Sequence, residues 1–295
     1  MPQAGTARVT MLSSMAGKEL DLAMDRHVEL GVELLDLKDA LFGKRVMDLT
    51  DEQASRAAEM ASQRGLRVHC MSTHLFGGDV EDGEQEFQAS HLTRVDRAIE
   101  LAGILQPHFV RLLAAASPRR WMYADCAELL RAEHPWLIGM YGQAVDRIHA
   151  AGFRTTIENE VGECVIRTAG DVVAFFGELA RPEKVSFTWD VQNLWQMGTF
   201  PDAAVYEEIA GLVGYLHLKG GRHREDDPRR ELAWRSSLAE ASWPVVEIAR
   251  RVIADGRCGV ICLNPSHGRP VKEGVWEDFV VRDLDFLRSH IREIA

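Results

Sequence analysis

The sequence lacks several features that would place it in other protein classes. Its five cysteines form no CxxC pair, and their odd number leaves one over, so we expect reduced thiols in a cytoplasmic protein. No apolar stretch approaches the ~20 residues that a membrane-spanning helix needs. The first ten residues, MPQAGTARVT, contain no apolar segment of the kind found in secretory signals. The sequence therefore predicts a soluble cytoplasmic protein with no membrane partner.

Positive charge and dinucleotide-binding glycines are also scarce. The formal net charge is −11, so the chain lacks the basic footprint that a nucleic-acid partner requires. No GxGxxG motif follows a candidate strand, which counts against a doubly wound dinucleotide-binding sheet. No internal repeat, low-complexity segment or convincing linker interrupts the chain, and we expect one domain over residues 1–295.

Short apolar runs recur along the chain, with amphipathic segments between them. The candidate strands are 8–13, 31–37, 66–71, 108–113, 153–158, 185–190, 212–217 and 258–264. Several strands are preceded by a glycine that suits the end of a helix, namely Gly31, Gly65 and Gly152. Strands that alternate with helices indicate a parallel sheet of the α/β class. Eight such units in about this length fit a single (β/α)₈ TIM barrel.

Three of the candidate strands end in a residue that can bind a metal ion. Glu158, Asp190 and His217 close the fifth, sixth and seventh strands. Because strand side chains alternate, the apolar side of each strand should pack on outer helices while these three face inward. On the same argument Tyr215 and Val213 share the inward side with His217. The three candidate ligands would then meet at the C-terminal rim, where active sites of such barrels lie.

Two carboxylates and an imidazole suit a divalent cation, and the chemistry favours Mn²⁺ first, with Mg²⁺, Co²⁺ and Zn²⁺ as alternatives. Each residue taken alone has a plainer interpretation. An acidic residue after a strand is commonly a helix N-cap or a solvated loop residue, and a lone histidine is commonly structural. Three ligand-type residues in phase on successive strands favour the metal site.

The motifs around these residues are Ile157–Asn159 on strand five, Trp189–Asn193 with Gly198 on strand six, and Leu216–Lys219 on strand seven. They resemble the xylose-isomerase-like sugar isomerase/epimerase family, and the resemblance covers nearly the whole chain. That superfamily also includes endonuclease IV, keto-inositol dehydratases and dehydroshikimate dehydratases. The resemblance implies a (β/α)₈ barrel whose metal is held by the three strand-end residues and by a fourth ligand at the end of strand eight.

The end of strand eight departs from that family. The family usually has a glutamate there, which binds metal and often moves the proton, whereas this chain has Asn264. An amide oxygen can coordinate a hard cation but cannot act as a general base near neutral pH. General acid–base help is worth ~10²–10⁴ in rate, so an epimerisation between two glutamates is disfavoured. With one carboxylate fewer, the metal keeps more positive potential, and we expect an anionic substrate such as a sugar acid or a phosphorylated sugar.

Other polar residues near the strand ends are candidate site residues. The candidate catalytic residues are Glu158, Lys219 and His267, and the candidate substrate-binding residues are His74, Glu160, Asn193, Arg222 and His223. Glu160 is also a candidate for the missing base, and His267 for a replacement proton carrier. A Lys219 ion pair and a solvated 220–230 loop are the plainer alternatives. We expect Arg111 to pair with a carboxylate inside the barrel.

These features predict a divalent-metal-dependent enzyme that acts next to the carbonyl of a polyhydroxy small molecule through a metal-stabilised enediolate. The resemblance favours an isomerase or epimerase. Asn264 favours a lyase, either a dehydratase or a decarboxylase acting on an anionic keto sugar acid. A non-catalytic sugar-binding barrel is a further alternative, and a nuclease like endonuclease IV is opposed by the net charge. Barrels of this kind often associate through loops at the rim, so a homo-oligomer is a further expectation.

Overall fold

The chain forms a closed eight-stranded barrel in a computed structural model that describes residues 7–265 and 275–294. The strands are β1 (Arg8–Leu12), β2 (Leu34–Leu37), β3 (Arg67–Ser72), β4 (Phe109–Leu113), β5 (Arg154–Glu158), β6 (Val185–Asp190), β7 (Val213–Leu218) and β8 (Val260–Leu263). They follow one another around the barrel in chain order, every neighbouring pair is parallel, and β8 closes on β1. This confirms the predicted α/β class and the (β/α)₈ barrel.

Helices connect the strands around the outside of the barrel. The α-helices are α1 (Ser13–Ala16), α2 (Leu20–Glu29), α3 (Asp51–Gln63), α4 (Glu84–Ser90), α5 (Val95–Leu105), α6 (Cys126–Glu133), α7 (Trp136–Ala150), α8 (Ala169–Leu179), α9 (Val191–Gln196), α10 (Ala203–Ile209), α11 (Val245–Ala254) and α12 (Val275–His290). Short 3₁₀ turns occupy Val46–Asp48, Val80–Asp82, Leu92–Arg94 and Pro118–Met122. At least one helix lies between each strand and the next. Every connection is therefore long enough for the crossover that joins two parallel strands.

The predicted strand positions are confirmed to within three residues at each end. Gly65 and Gly152 each follow a helix and have φ of 70° and 91°, and Gly31 has φ of 66°, so all three take the left-handed conformation expected after a helix end. The largest difference is in β2, which begins at Leu34 and not at residue 31. The strand positions were readable because apolar runs bounded by glycine are short and regular in this chain.

One prediction about strand direction was wrong. Val213 packs in the outer core and not inside the barrel, because the pairing of β6 with β7 shifts register between Phe187 and Thr188. The shift places Gly214 on the inner side, where an added Cβ would collide with Ser186. Only a residue without a side chain fits there, and Tyr215 then faces inward as predicted. A one-residue bulge of this kind leaves no clear mark in the hydrophobic pattern.

The barrel has two apolar layers, one on each side of the sheet. Between the sheet and the helices lies the large core, which includes Ile157, Trp189 and Leu216, as the alternation predicts. Inside the barrel a smaller cluster comprises Leu12, Leu34, Cys70, Phe109, Tyr215, Val260 and Cys262. Above it two inward hydroxyl groups of adjacent strands, Thr156 and Thr188, lie 2.5 Å apart. The interior is therefore filled by side chains, as in other barrels of this size.

Within residues 7–265 and 275–294, none of the helices has the length and the hydropathy to cross a bilayer. All five cysteines are buried and none forms a disulfide. Burial raises the pKa of Cys164 and of Cys258 to about 12, so these two thiols stay protonated near neutral pH. Their role is therefore packing and not reactivity.

A buried carboxyl group on the last helix makes the stability of the fold depend on pH. Asp283 accepts a hydrogen bond from the Leu238 backbone N–H at 2.8 Å, and its other oxygen has no hydrogen-bond partner among the described residues. Burial is the main cause that raises its pKa to about 7, and Glu240 adds to it. The folded state thus binds this proton more tightly than the unfolded chain, whose aspartates titrate near pH ~3.9.

We predict that Asp283→Asn removes this dependence. A raised carboxyl pKa contributes stability that is complete below the unfolded pKa and is lost as the pH rises through about 7. The free energy of unfolding of the wild type, relative to that of the variant, should therefore fall by roughly 4 kcal/mol between pH 4 and pH 8. Urea denaturation at several pH values measures this difference. Asp285→Asn, at an exposed position on the same helix, is the matched control, and a pH-independent difference for Asp283→Asn would contradict the prediction.

Candidate metal site

The three strand-end residues lie together at the C-terminal rim of the barrel. In the sheet register Glu158 is opposite Thr188, two residues before Asp190, and Asp190 is opposite His217, so the three residues lie within two positions of one another in the register. Asn264 follows β8 directly, and its backbone N–H donates to the Leu218 carbonyl oxygen at 3.1 Å. The four positions predicted to hold a metal therefore occupy four consecutive strands at one end of the barrel.

The side chains of Glu158, Asp190 and His217 converge on one point. Glu158 Oε1 lies 2.9 Å from His217 Nδ1, and Asp190 Oδ2 lies 3.9 Å from the same nitrogen. One ligand atom from each residue lies within 4.8 Å of the other two. All three side chains are at most 2% exposed. This is the predicted set of two carboxylates and one imidazole, held close enough to share a partner.

Two basic side chains neutralise the carboxylates of this group. Arg111 on β4 pairs with Glu158 Oε2, and its other terminal nitrogen donates to the Thr73 carbonyl oxygen at 2.9 Å. Burial opposes ionisation of Glu158, but Arg111 and then His217 outweigh it and hold the pKa of this carboxyl group below its usual value. Lys219 Nζ lies 2.6 Å from Asp190 Oδ2. The expectation that Arg111 pairs with a carboxylate inside the barrel is thus met.

Asp190 has a structural role as well as a place in the site. Its Oδ1 accepts the Asn193 backbone N–H at 2.9 Å, which makes it the N-cap of α9. The Asn159 side chain fixes the backbone of Asp190. Its Oδ1 accepts a hydrogen bond from the Asp190 N–H, and its Nδ2 donates one to the Asp190 carbonyl oxygen, both at 3.0 Å. One oxygen of the Asp190 carboxylate is therefore used by the fold, and the other faces His217 and Lys219.

Sequence reasoning missed a carboxylate that lies behind His217. Asp36 on β2 accepts hydrogen bonds from Ser72 Oγ at 2.5 Å and from the Tyr215 hydroxyl at 2.9 Å. Its Oδ2 lies 3.8 Å from His217 Nε2, the ring nitrogen that faces away from Glu158. Burial raises the pKa of Asp36, while His217 and Arg111 oppose that rise. The sequence does contain a sign of this residue, since Asp36 is an acidic residue within an apolar strand. Reasoning from strand ends did not consider it, because that reasoning was limited to the last residue of each strand.

The donor atoms fit a divalent cation. His217 Nδ1 and Asp190 Oδ2 have only the ion-pair contacts given above, and neither they nor His217 Nε2 has a hydrogen bond of acceptable geometry among the described residues. Buried polar atoms are nearly always hydrogen-bonded, so these three atoms have coordinating capacity that the described side chains do not use. Oxygen and nitrogen donors of this kind suit Mn²⁺, Mg²⁺, Co²⁺ or Zn²⁺. Asp36, His217 and Cys262 form a second candidate group, which shares His217 with the first.

Two further predicted site residues lie within electrostatic range of this cluster. Glu160 follows β5, and burial and then the charge of Glu158 raise its pKa, while Arg111 and Lys219 act against that rise. His74 is half-buried after β3, and burial followed by the charges of Arg45 and Arg111 lowers its pKa to about 4. His74 is therefore a neutral imidazole at physiological pH and can both donate and accept a hydrogen bond.

The remaining predicted residues have other described contacts. Asn193 is buried, where its Oδ1 accepts from Lys219 Nζ at 3.1 Å and its Nδ2 donates to the Asn159 carbonyl at 3.1 Å. Arg222 packs against the ring of Trp234. His223 Nδ1 donates a hydrogen bond to the Arg224 carbonyl oxygen at 2.8 Å, and its ring packs on Phe200. Neither Arg222 nor His223 has a described contact with the cluster, so their substrate-binding role stays a prediction.

His267, the predicted replacement proton carrier, lies outside the described residues. Asn264, the predicted fourth ligand, is 6% exposed, and Pro265 alone separates it from that region. Its backbone places it next to β7, and its role as a ligand stays a prediction.

Comparisons with known proteins agree with this architecture. A structure from Mycobacterium smegmatis, described as a xylose isomerase-like TIM barrel protein in complex with magnesium, is 18% identical, with a TM-score of 0.70 over 99% of this chain and 100% of that one. A probable 3-DHS dehydratase from Bacillus anthracis is 12% identical, with a TM-score of 0.69 over 95% and 98%. A D-psicose 3-epimerase with D-tagatose from Clostridium cellulolyticum H10 is 12% identical, with a TM-score of 0.68 over 96% and 99%.

At these identities the solved structures establish the fold alone. A comparison with curated proteins found no match. The family model described as xylose isomerase-like TIM barrel matches residues 24–290, which is most of the chain and includes every strand from β2 to β8. The chain therefore belongs to the xylose isomerase-like TIM barrel family.

Proposed function

We propose that this chain is a divalent-metal-dependent isomerase or epimerase that acts next to the carbonyl of a polyhydroxy compound. The observation that carries the proposal is the convergence of ligand atoms from Glu158, Asp190 and His217, all within 4.8 Å of one another. Those residues lie at the barrel end where the reactions of this architecture take place. The similarity to an epimerase that was solved with a ketose supports the substrate class.

Glu158, Asp190 and His217 would hold the ion, with Asn264 as the fourth ligand, and Mn²⁺ is the metal we expect. When bound, a divalent ion polarises a carbonyl oxygen and makes the neighbouring C–H more acidic. The lowered pKa of Glu158 keeps this carboxylate ionised, which suits a metal ligand better than a base. The residues that hold the ion and those that move protons are thus different in this proposal.

Glu160 and Lys219 are the groups that move protons. Burial and then the charge of Glu158 raise the pKa of Glu160 above its usual value, which is the direction that favours a general base. Lys219 Nζ sits between Asp190 Oδ2 and Asn193 Oδ1, at 2.6 and 3.1 Å, and can donate a proton. The charge of Lys219 reaches Glu160, since it lowers that residue's pKa. Glu160 is therefore assigned as the base and Lys219 as the acid in this proposal.

A lyase is the second candidate, and Asn264 is the observation that favours it. A dehydratase or decarboxylase needs fewer proton carriers than an epimerase that works between two carboxylates. Glu160 would take a proton, and Lys219 would protonate the leaving hydroxyl group in a dehydration. The similarity to a probable 3-DHS dehydratase is consistent with this outcome. Mass spectrometry separates the two, because a lyase product has lost water or carbon dioxide and an isomerase product has the mass of its substrate.

The function is tested by separating metal binding from proton transfer. We expect wild-type protein to take up Mn²⁺ saturably in calorimetry and to exchange solvent deuterium into a ketose or a keto sugar acid. Asp190→Asn and His217→Gln should weaken Mn²⁺ uptake by about 100-fold or more, because each removes a ligand. Glu160→Gln should keep Mn²⁺ uptake and lose deuterium exchange by ~10²-fold or more.

Glu163→Gln, at an exposed position in the same loop, is the control and should change neither quantity. Absence of saturable uptake of any divalent ion would refute the metal site. If the protein takes up Mn²⁺ but neither exchanges deuterium nor forms a product with any of the ketoses and keto sugar acids tested, the enzymatic function is refuted. A sugar-binding barrel would then be the remaining interpretation.

Asn264→Glu tests whether the uncharged ligand selects anionic substrates. A fourth ligand with negative charge should tighten Mn²⁺ binding and repel an anionic substrate. We expect the ratio of kcat/KM for sugar acids to that for neutral ketoses to fall about tenfold or more in the variant. The control is Asn264→Gln, because glutamine has the shape of glutamate and is uncharged like the asparagine that it replaces. An unchanged ratio in Asn264→Glu would count against a preference for anions that arises at this position.

Arg111→Met tests the proposal that Arg111 holds Glu158 ionised in a buried site. Removal of one partner of a buried ion pair leaves an uncompensated charge, and we expect the free energy of unfolding to fall by ~3–5 kcal/mol. The double variant Arg111→Met/Glu158→Gln should recover part of this loss, because it removes the stranded charge. Urea denaturation in the presence of a chelator measures both. A double variant as unstable as the sum of the two single variants would contradict the prediction.

A further inference from the structure

A cavity lies at the end of the barrel opposite to the candidate metal site. It has a volume of about 1030 Å³ and is lined by residues at the beginnings of the strands and by the last turns of α3 and α5. Among them are Arg8 of β1, His69 of β3, Arg154 of β5 and Ser186 of β6. The predicted reaction takes place at the other rim, so this cavity is not part of the proposed active site.

The lining of this cavity is rich in positive charge. Four arginines contribute to it, namely Arg8, Arg67, Arg154 and Arg257. Arg67 forms an ion pair with Glu33 at 3.5 Å, and Arg257 donates to the Gly211 carbonyl at 3.3 Å. In the part of the chain that the structure describes, no ion pair engages Arg8 or Arg154. A protein of net charge −11 has thus concentrated unpaired cations at one end of its barrel.

Two side chains beside these arginines have unused hydrogen-bonding capacity. His69 is 6% exposed, and its Nε2 has no hydrogen-bond partner among the described residues. The buried Ser186 Oγ likewise lacks a partner there. The His69 ring stacks on His108, which also lines the cavity, with centroids 5.3 Å apart and planes 11° apart. Unsatisfied buried polar groups are rare, and two in one cavity lining point to a missing ligand.

The electrostatic field in the cavity is positive at the histidines. Burial first, and then the charges of Arg154 and Arg8, lower the pKa of His108. Burial, His108 and Arg8 lower that of His69 to about 3. Both rings are therefore disfavoured as cations beside the arginines. No acidic side chain is among the described residues that line the cavity, and Glu33, which pairs with Arg67, offsets the charge of that arginine alone.

We propose that this cavity binds a small phosphate-bearing anion. Guanidinium groups without carboxylate partners bind phosphate oxygens through paired hydrogen bonds. A phosphate group offers several acceptor oxygens, which suits a cavity that guanidinium, imidazole and hydroxyl donors line together. The volume of about 1030 Å³ accommodates a phosphorylated metabolite as well as free phosphate. The inference is independent of the proposed reaction, because no residue of the cavity belongs to the candidate metal site.

The probe is inorganic phosphate, titrated into the full-length protein by calorimetry at constant ionic strength. We expect saturable binding at one site in the wild type. Arg8→Gln/Arg154→Gln should weaken it about tenfold or more, because two charge-assisted contacts are lost. The matched control, Arg94→Gln/Arg229→Gln, changes the net charge equally at arginines outside the cavity and should stay within about twofold of the wild type.

Ring resonances of His69 and His108 locate the binding, and both should shift with phosphate in the wild type. Three results would overturn the proposal: no saturation, equal weakening in the two double variants, or binding that the cavity variant leaves intact. The last would place phosphate elsewhere, such as at a metal ion on the rim. Citrate serves as the second arm, and tighter binding of citrate than of phosphate would overturn the assignment to phosphate.

Discussion

Burial of three carboxylates inside one end of the barrel is the constraint on which the site depends. Asp36, Glu158 and Asp190 are all at most 2% exposed. Charges removed from water are costly unless they are paired and hydrogen-bonded. Arg111 and Lys219 supply two positive charges, and neighbouring hydroxyl groups satisfy the oxygens of Asp36. The burial of these carboxylates is compensated because β4 and the residue that follows β7 each contribute a cation.

This compensation also determines which atoms remain for chemistry. Arg111 takes one oxygen of Glu158 and leaves the other beside His217. The N-cap of α9 takes one oxygen of Asp190, and the second oxygen faces His217 and Lys219. Glu158 and Asp190 are thus each fixed through one oxygen and direct the other oxygen toward His217. A site whose ligands are already held by the fold loses little conformational entropy when it binds an ion.

The sequence was sufficient to predict the barrel, the strand ends and the convergence of three side chains at the rim, because these follow from periodicities that are local along the chain. It was insufficient where contacts depend on register between distant strands. Asp36 and His217 lie close together inside the barrel, but they are far apart in the sequence, and no local sequence pattern indicates their contact. Gly214 breaks the alternation of β7 through a bulge that the apolar pattern does not mark. The cap role and the ligand role of Asp190 were weighed as alternatives, whereas its two oxygens allow both.

The apolar layer inside the barrel explains how two polar ends coexist in one fold. Tyr215 lies between them, since its ring contacts His217 at 4.7 Å and His69 at 4.9 Å between centroids. Its hydroxyl group donates to Asp36 on the rim side. Phe109 packs with it at the level of the cavity. Because this layer is filled by side chains, packed rings and not water separate an anion in the cavity from the rim cluster. Each end of the barrel can therefore bind its own ligand without disturbing the other end.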